Sequence, residues 1–125
     1  MAKISWFEIL ADDNARAKYF YESIFGWKIN KTSDDYEYWM IQQESDDDIG
    51  GGIMNRKMVD TRTKITGFVD SIPVDSVDKY AETIKMHGGI SIKEKHAIPG
   101  YGWHQYFMDT EGNIFGIMDQ DSTAK

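Results

Sequence analysis

The feature that most constrains the fold of this chain is an internal duplication of its strand and helix pattern. In each half, a predicted strand leads into an acidic or hydroxyl-bearing turn that caps a helix, and a glycine ends that helix. The interval from Asp13 to Gly26 in the first half equals the interval from Asp75 to Gly88 in the second. We therefore predict two βαβββ modules, about residues 1–58 and 62–121, in one α+β domain whose two sheets share a cleft.

Apolar residues recur at helical spacing in both halves and predict one amphipathic helix in each. The two buried stripes consist of Ala17, Phe20, Tyr21 and Ile24 in the first half and Val77, Tyr80, Ala81 and Ile84 in the second. The run Pro73–Ser76 is expected to turn and cap the second helix, because its Asp and Ser side chains accept bonds from free helix N–H groups.

Short alternating or apolar runs predict the strands around these helices. In the first half the predicted strands are Ile4–Leu10, Trp27–Ile29, Tyr36–Gln42 and Ile49–Met54. In the second half they are Ile65–Ile72, Ile90–Lys93, Trp103–Met108 and Ile114–Met118. A polar link is expected between the modules, and His96 is expected in a solvated link before the last two strands.

The last two predicted strands form a hairpin that is rich in residues suited to a binding site. Residues 109–113 turn the chain, because Asp, Gly and Asn tolerate the positive φ angles of tight turns. His104 and Tyr106 alternate with Trp103 and Gln105 along the first arm, so each pair shares one face of the sheet. If the chain has a functional site, we expect this hairpin to supply much of its wall.

Composition excludes several classes of function. The chain of 125 residues carries a net charge of −7, which argues against general binding to nucleic acid. It contains no cysteine, so disulfides, thiolate metal sites and thiol catalysis are excluded. No apolar stretch approaches the roughly 20 residues that span a bilayer, and no leader is recognised, so we expect a cytoplasmic protein without membrane contact.

Three segments, Ile4–Asp13, Ala17–Trp27 and Asp109–Gly116, resemble the opening and closing segments of the vicinal-oxygen-chelate superfamily. This group comprises glyoxalases, bleomycin resistance proteins and extradiol dioxygenases. The resemblance rests on Phe20-Tyr21 followed by Phe25-Gly26 and on the Asp-x-x-Gly-Asn turn of the hairpin. It covers essentially the whole chain. It implies paired βαβββ modules that form a concave, open barrel-like sheet, and it implies a homodimer.

The resemblance also implies a divalent metal held by His, Gln or Glu on the first strand of each module and after the hairpin turn. In this sequence the corresponding positions are Trp6, Val69 and Gly116. None of these side chains can ligate a metal, which requires imidazole or carboxylate groups. We therefore expect no cofactor, and a divalent metal is an alternative that these positions do not support.

Two residues remain as candidates for acid–base chemistry. Glu8 follows Trp6 by two positions and should share its face of the strand, and the resemblance turns the His104 and Tyr106 face toward the same cleft. A carboxylate beside an imidazole is a minimal general acid–base pair. The same residues are also interpretable as a polar binding wall, which we favour, or as a structural hydrogen-bonded pair.

The residues expected to line a ligand are Trp6, Glu8, Trp39, Val69, His104, Tyr106 and Gly116. Trp39 is also interpretable as a core residue. Aromatic walls suit planar ligands, and the negative charge favours a cation. The sequence thus predicts metal-independent binding of a small planar or cationic molecule. The alternative is a lyase or isomerase that acts on a small oxygenated metabolite, with a metal or through Glu8 and His104.

Overall fold

The computed structural model describes residues 6–32, 34, 37–58 and 69–125. Its two compact units, Met1–Lys64 and Ile65–Lys125, are described separately below. The first unit contains β1 (Trp6–Ala11), α1 (Asn14–Phe25), β2 (Ile29–Lys31), β3 (Tyr38–Ile41) and β4 (Gly50–Asn55). The second contains β5 (Ser71–Pro73), α2 (Val77–Met86), β6 (Ile90–Ile98), β7 (Gly102–Met108) and β8 (Ile114–Gln120). The predicted α+β class and the two βαβββ modules are confirmed.

Both modules have the same sheet topology. The first sheet has the order β1-β4-β3-β2, and the second has the corresponding order β5-β8-β7-β6. In each sheet the first and last strands of the module pair in parallel, and the other neighbours are antiparallel. Neither sheet is closed, so each leaves one face free of its own helix.

The helices begin and end where the capping residues predict. The Asp13 side chain accepts a bond from the Arg16 N–H at 3.1 Å, and Gly26 ends α1 in the left-handed region at φ 70°. Ser76 caps α2 in the same way, through the Lys79 N–H at 3.2 Å. Neither helix in the described ranges is long and apolar enough to cross a membrane.

The first core lies between α1 and one face of the first sheet. The helix buries the predicted stripe, and β1 and β4 contribute Ile9 and Ile53. Trp27, directly after the helix, stacks on Tyr21 with ring centroids 5.3 Å apart and also contacts Phe7 of β1. Odd-numbered β1 residues therefore face the helix, and even-numbered ones lie on the helix-free face.

The second core is built in the same way. Phe107, Phe115 and Ile117 are buried on the face of the sheet that α2 covers. Asp119 on this face accepts a bond from the Val77 N–H at 2.8 Å at the start of α2. Because side chains alternate along β7, His104 and Tyr106 lie on the helix-free face of the second sheet.

Three predicted strands differ most from the structure, and the first of them, predicted over Trp27–Ile29, lies at Ile29–Lys31. In the described part of the predicted strand Ile65–Ile72, only the end is strand: β5 covers Ser71–Pro73, and residues 65–68 lie outside the described residues. Pro73 is thus a strand residue and not part of the cap. The strand predicted over Ile90–Lys93 continues to Ile98, so the placement of His96 in a solvated link was wrong. Two register shifts in β6 break the alternation on which strand prediction depends.

Asp109 holds the hairpin turn, and its loss should destabilise the second module. Its Oδ1 accepts the backbone N–H groups of Glu111 and Asn113, both at 2.8 Å, and the residue is buried. Because Asp109→Ala leaves these donors without that acceptor, we expect a loss of about 1–3 kcal/mol in the free energy of unfolding, measured by urea denaturation. Asp46→Ala, in an exposed turn, should stay within about 0.5 kcal/mol of the parent. Equal effects would contradict this role.

Candidate functional site

The helix-free face of the first sheet presents an aromatic and acidic surface. Trp6 and Glu8 lie on this face of β1, and their partners across the parallel pair are Gly50 and Gly52 of β4. Trp6 is 41% exposed, and Glu8 is also exposed. The predicted sharing of one face by these two side chains follows from this register.

Tyr38 of β3 connects the two predicted residues, and sequence reasoning missed it. The Trp6 Nε1–H donates to the Tyr38 hydroxyl at 2.7 Å, and that hydroxyl also interacts with Glu8. Burial of the phenol raises the pKa of Tyr38, and the hydrogen bond from Trp6 opposes this effect. The hydrogen bond to Glu8 and the charge of Glu8 raise the pKa further. The phenol therefore keeps its proton at neutral pH and donates a hydrogen bond to the Glu8 carboxylate.

Three consecutive glycines of β4 make room for aromatic rings. A Cβ at Gly50 would lie 2.4 Å from the Trp6 ring, and one at Gly52 would lie 2.4 Å from the Tyr38 ring. Gly51 makes the same room for Phe7 on the opposite face. Aromatic rings of the protein itself therefore pack directly against the backbone of this run. This packing explains why three consecutive residues of the strand are glycines.

Trp39 does not belong to this surface. It pairs with Ile53 across the antiparallel β3–β4 ladder, and Ile53 is fully buried on the face toward α1. Trp39 thus lies on the opposite face from Trp6 and Glu8, which fits its interpretation as a core residue, and its place among the ligand-lining residues stays a prediction. The indole Nε1 is buried, and no described residue offers it a partner.

In the second module, His104 is the central polar residue of the helix-free face. It is only 4% exposed, and its Nε2 lies 3.0 Å from the Ser71 Oγ of β5. Its Nδ1 is buried and has no hydrogen-bond partner among the described residues. One ring nitrogen is thus held by the protein, and the other is buried without a partner among the described residues.

Gly116 leaves the space that the His104 ring occupies. A Cβ at residue 116 would lie 2.6 Å from the His104 Nε2 and 2.9 Å from the Ser71 Oγ. Both atoms converge on the space that a side chain would take. Gly116 therefore shapes the surroundings of His104 and offers no side chain of its own to a ligand.

Two further rings complete an aromatic cluster, which we call the ring cluster: His96, His104 and Tyr106. The His104 ring centroid lies 4.4 Å from that of Tyr106 and 5.1 Å from that of His96, its cross-strand partner. Burial, and then the positive charges of His96 and Lys93, lower the pKa of His104. The imidazole of His104 is therefore neutral at pH 7.

Val69 does not occupy the strand position that the resemblance assigns to it. It precedes β5 and is 49% exposed, so its expected place on a strand is wrong. The parallel register places Ser71 beside Gly116. The short β5 explains the error, because the position was counted back from the helix cap along a strand assumed to be longer. No local pattern identifies Ser71, since its role depends on the pairing of β5 with β8.

The described residues do not fit the divalent metal that the fold family implies. No group of three or more His, Asp or Glu side chains suited to a metal ion occurs within the described ranges. At the implied positions, Trp6 carries an indole that donates to Tyr38, Val69 is aliphatic and Gly116 has no side chain. Glu8 and His104 lie in separate units, and their convergence stays a prediction.

Comparisons with known proteins agree with this architecture. The family model for bleomycin resistance protein-like N-terminal segments matches residues 3–43. A glyoxalase/bleomycin resistance protein/dioxygenase family enzyme from Burkholderia phytofirmans PsJN superposes with a TM-score of 0.77 at 18% identity, covering 96% of this chain and 100% of its own. This chain has the glyoxalase/bleomycin resistance/dioxygenase fold. The resemblance stated from the sequence is thereby confirmed.

Other solved structures share this glyoxalase/bleomycin resistance/dioxygenase fold. The fosfomycin resistance protein FosX from Listeria monocytogenes superposes with a TM-score of 0.71 at 19% identity, over 97% of this chain and 95% of its own. A variant of that protein was crystallised with Mn(II) and 1S,2S-dihydroxypropylphosphonic acid. The hypothetical protein SA1046 from S. aureus gives a TM-score of 0.71 at 21% identity, over 95% and 94% of the chains. No curated protein sequence matches significantly.

The close approach of His104 to Gly116 predicts an energetic coupling between the two positions. Gly116→Ala should lower the free energy of unfolding by about 1–3 kcal/mol, because the new methyl group overlaps a buried ring. In a His104→Ala background the same substitution should have a much smaller effect. A double-mutant cycle by urea denaturation measures the coupling, and additive effects would show that the ring does not depend on the glycine.

The lowered pKa of His104 predicts a dependence of stability on pH. The unfolded chain binds the proton more tightly, so the contribution of His104 is fully present above its ordinary pKa of 6.5. The free energy of unfolding should fall as the pH drops below 6.5 toward the folded-state pKa. His104→Gln should reduce this slope and His87→Gln should retain it, as measured by urea denaturation across pH 5–8. An unchanged slope in His104→Gln would refute the assignment.

Proposed function

We propose that this protein binds a small planar or cationic molecule without a metal, through the helix-free face of its first sheet. The observation that carries the proposal is the exposed Trp6 indole beside the exposed Glu8 carboxylate, both connected to Tyr38. A flat ring next to a carboxylate offers stacking and charge to one ligand. The aromatic surface is fixed before a ligand arrives, because the indole N–H is already bonded.

Electrostatics favours a cation on this face. A cation above an indole gains about 0.5–2 kcal/mol from the ring quadrupole, and a carboxylate within reach adds Coulomb attraction. The Tyr38 hydroxyl donates a hydrogen bond to Glu8 and so holds that carboxylate beside the indole. The net charge of −7 raises the local concentration of cations further.

The absence of donors at the implied positions supports recognition without a metal. A metal-dependent relative needs ligating side chains where this chain has Trp6, Val69 and Gly116. Trp6 and Gly116 each serve another purpose, since Trp6 donates to Tyr38 and Gly116 leaves space for His104. We therefore do not extend the binding of Mn(II), seen in the complex of the FosX variant, to this chain.

The enzymatic alternative, a lyase or isomerase using Glu8 and His104, is favoured by one observation. His104 is neutral at pH 7, and a neutral imidazole can accept a proton. Against this role, the Nε2 of His104 already lies within hydrogen-bond distance of the Ser71 Oγ, at 3.0 Å. We therefore place binding ahead of catalysis.

The remaining parts of the proposal concern assembly and organisation. We propose a homodimer, as the resemblance implies, and module limits of about residues 1–58 and 62–121. Sedimentation equilibrium of the full chain tests the dimer directly. A cytoplasmic location is likewise an expectation that fractionation of cells tests.

Benzamidine, a planar cation, is a suitable probe for the first module. We expect its addition to shift the Trp6 indole N–H resonance in proton–nitrogen NMR spectra. Glu8→Gln should weaken the affinity by about threefold to thirtyfold, since it removes the charge and keeps the shape. Glu82→Gln, on the exposed side of α2, changes the net charge equally and should leave the affinity unchanged.

The two outcomes separate a specific surface from general attraction. A loss confined to Glu8→Gln supports the proposed face. An equal loss in Glu82→Gln, or a titration that leaves the Trp6 resonance unmoved, would refute it. Neutral benzamide, titrated in parallel, distinguishes ring stacking from charge recognition.

A further inference from the structure

The helix-free face of the second sheet differs in charge from that of the first. Lys93 and His96 lie on β6 and pair with β7 at Tyr106 and His104 respectively. Both groups repel a proton on His104, in addition to the larger effect of burial. The part of this face that the structure describes therefore places a lysine and a second histidine beside His104.

A comparison along the same strand shows that this is a local property of one face. Lys95 pairs with Asp78 of α2 at 3.1 Å and lies over the Trp103 ring, both on the helix side. Lys93 has no ion-pair partner among the described residues, and its side chain is exposed. One face of β6 thus carries a paired lysine and the other an unpaired one.

The buried Nδ1 of His104 is the second, independent observation. An imidazole nitrogen removed from water without a partner loses a hydrogen bond, so such atoms are rare unless a ligand or water supplies the partner. When the Ser71 hydroxyl donates to Nε2, the neutral ring carries its proton on Nδ1 and becomes a donor. A buried donor of this kind needs an acceptor atom such as an oxygen, which a water or a ligand supplies.

We propose that Lys93, His96 and Nδ1 of His104 form a subsite for an oxyanion of a small organic ligand, a carboxylate being the simplest case. Lys93 supplies charge at the exposed edge, and His96 supplies a half-buried imidazole beside it. One oxygen of the anion accepts a hydrogen bond from the Nδ1–H. The inference rests on the proposed role in small-molecule binding, but it concerns a different module and a ligand group of opposite charge.

Benzoate and benzamide test the subsite, because they share a ring and differ in charge. With imidazole-nitrogen NMR on the full chain, benzoate should shift the His104 Nδ1 resonance, and benzamide should shift it far less. Lys93→Met should weaken benzoate binding by about threefold to fivefold, and Lys95→Met, on the same strand but the opposite face, should not. His96→Gln should weaken it as well.

Each result has a definite consequence. Equal shifts of the His104 Nδ1 resonance with benzoate and with benzamide would show that the ring of the probe is recognised and not its charge. This result would overturn the proposal. Equal losses in Lys93→Met and Lys95→Met would assign the effect to net charge and overturn it too, as would an unmoved His104 resonance. Benzamidine reports on Trp6 and benzoate on His104, so failure of the proposed function and failure of this subsite are seen separately.

Discussion

The parallel pairing of the first and last strands of each module is the interaction on which both candidate surfaces depend. In the first module it aligns Trp6 and Glu8 of β1 with two glycines of β4. In the second it aligns Ser71 of β5 with Gly116 of β8. A shift of one residue in either register would turn these side chains to the opposite face of the sheet, because side chains alternate along a strand.

Glycines then decide which side chains can lie on these surfaces. Two glycines of β4 leave space for the Trp6 and Tyr38 rings, and Gly116 leaves space for the imidazole of His104. In both modules the missing Cβ is filled by a ring from a neighbouring strand. Both modules thus pack a ring against a glycine, but the side chains around it differ. The first module has a carboxylate and an indole there, and the second has histidines.

Electrostatics separates the two modules more sharply than their topology does. Glu8 accepts a hydrogen bond from the Tyr38 phenol, whereas burial, followed by the charges of His96 and Lys93, lowers the pKa of His104 and leaves it neutral. A metal site would require several imidazole or carboxylate groups to converge, and no group of three or more occurs among the described residues. The resulting surfaces suit hydrogen bonding, stacking and charge pairing, which are means of recognising organic ligands.

The helices, their caps and the closing hairpin were determined by the sequence alone, because each depends on residues within a few positions of one another. Asp13 and Ser76 cap at short range, and the Asp109 turn is equally local. Only the tertiary structure identified Tyr38 as the partner of Trp6 and Ser71 as the partner of His104. It also decided that His96 lies on a strand and which face of the first sheet carries Trp39. Strand register joins residues far apart in the chain, and neither the short β5 nor the register shifts of β6 leave a periodic signal.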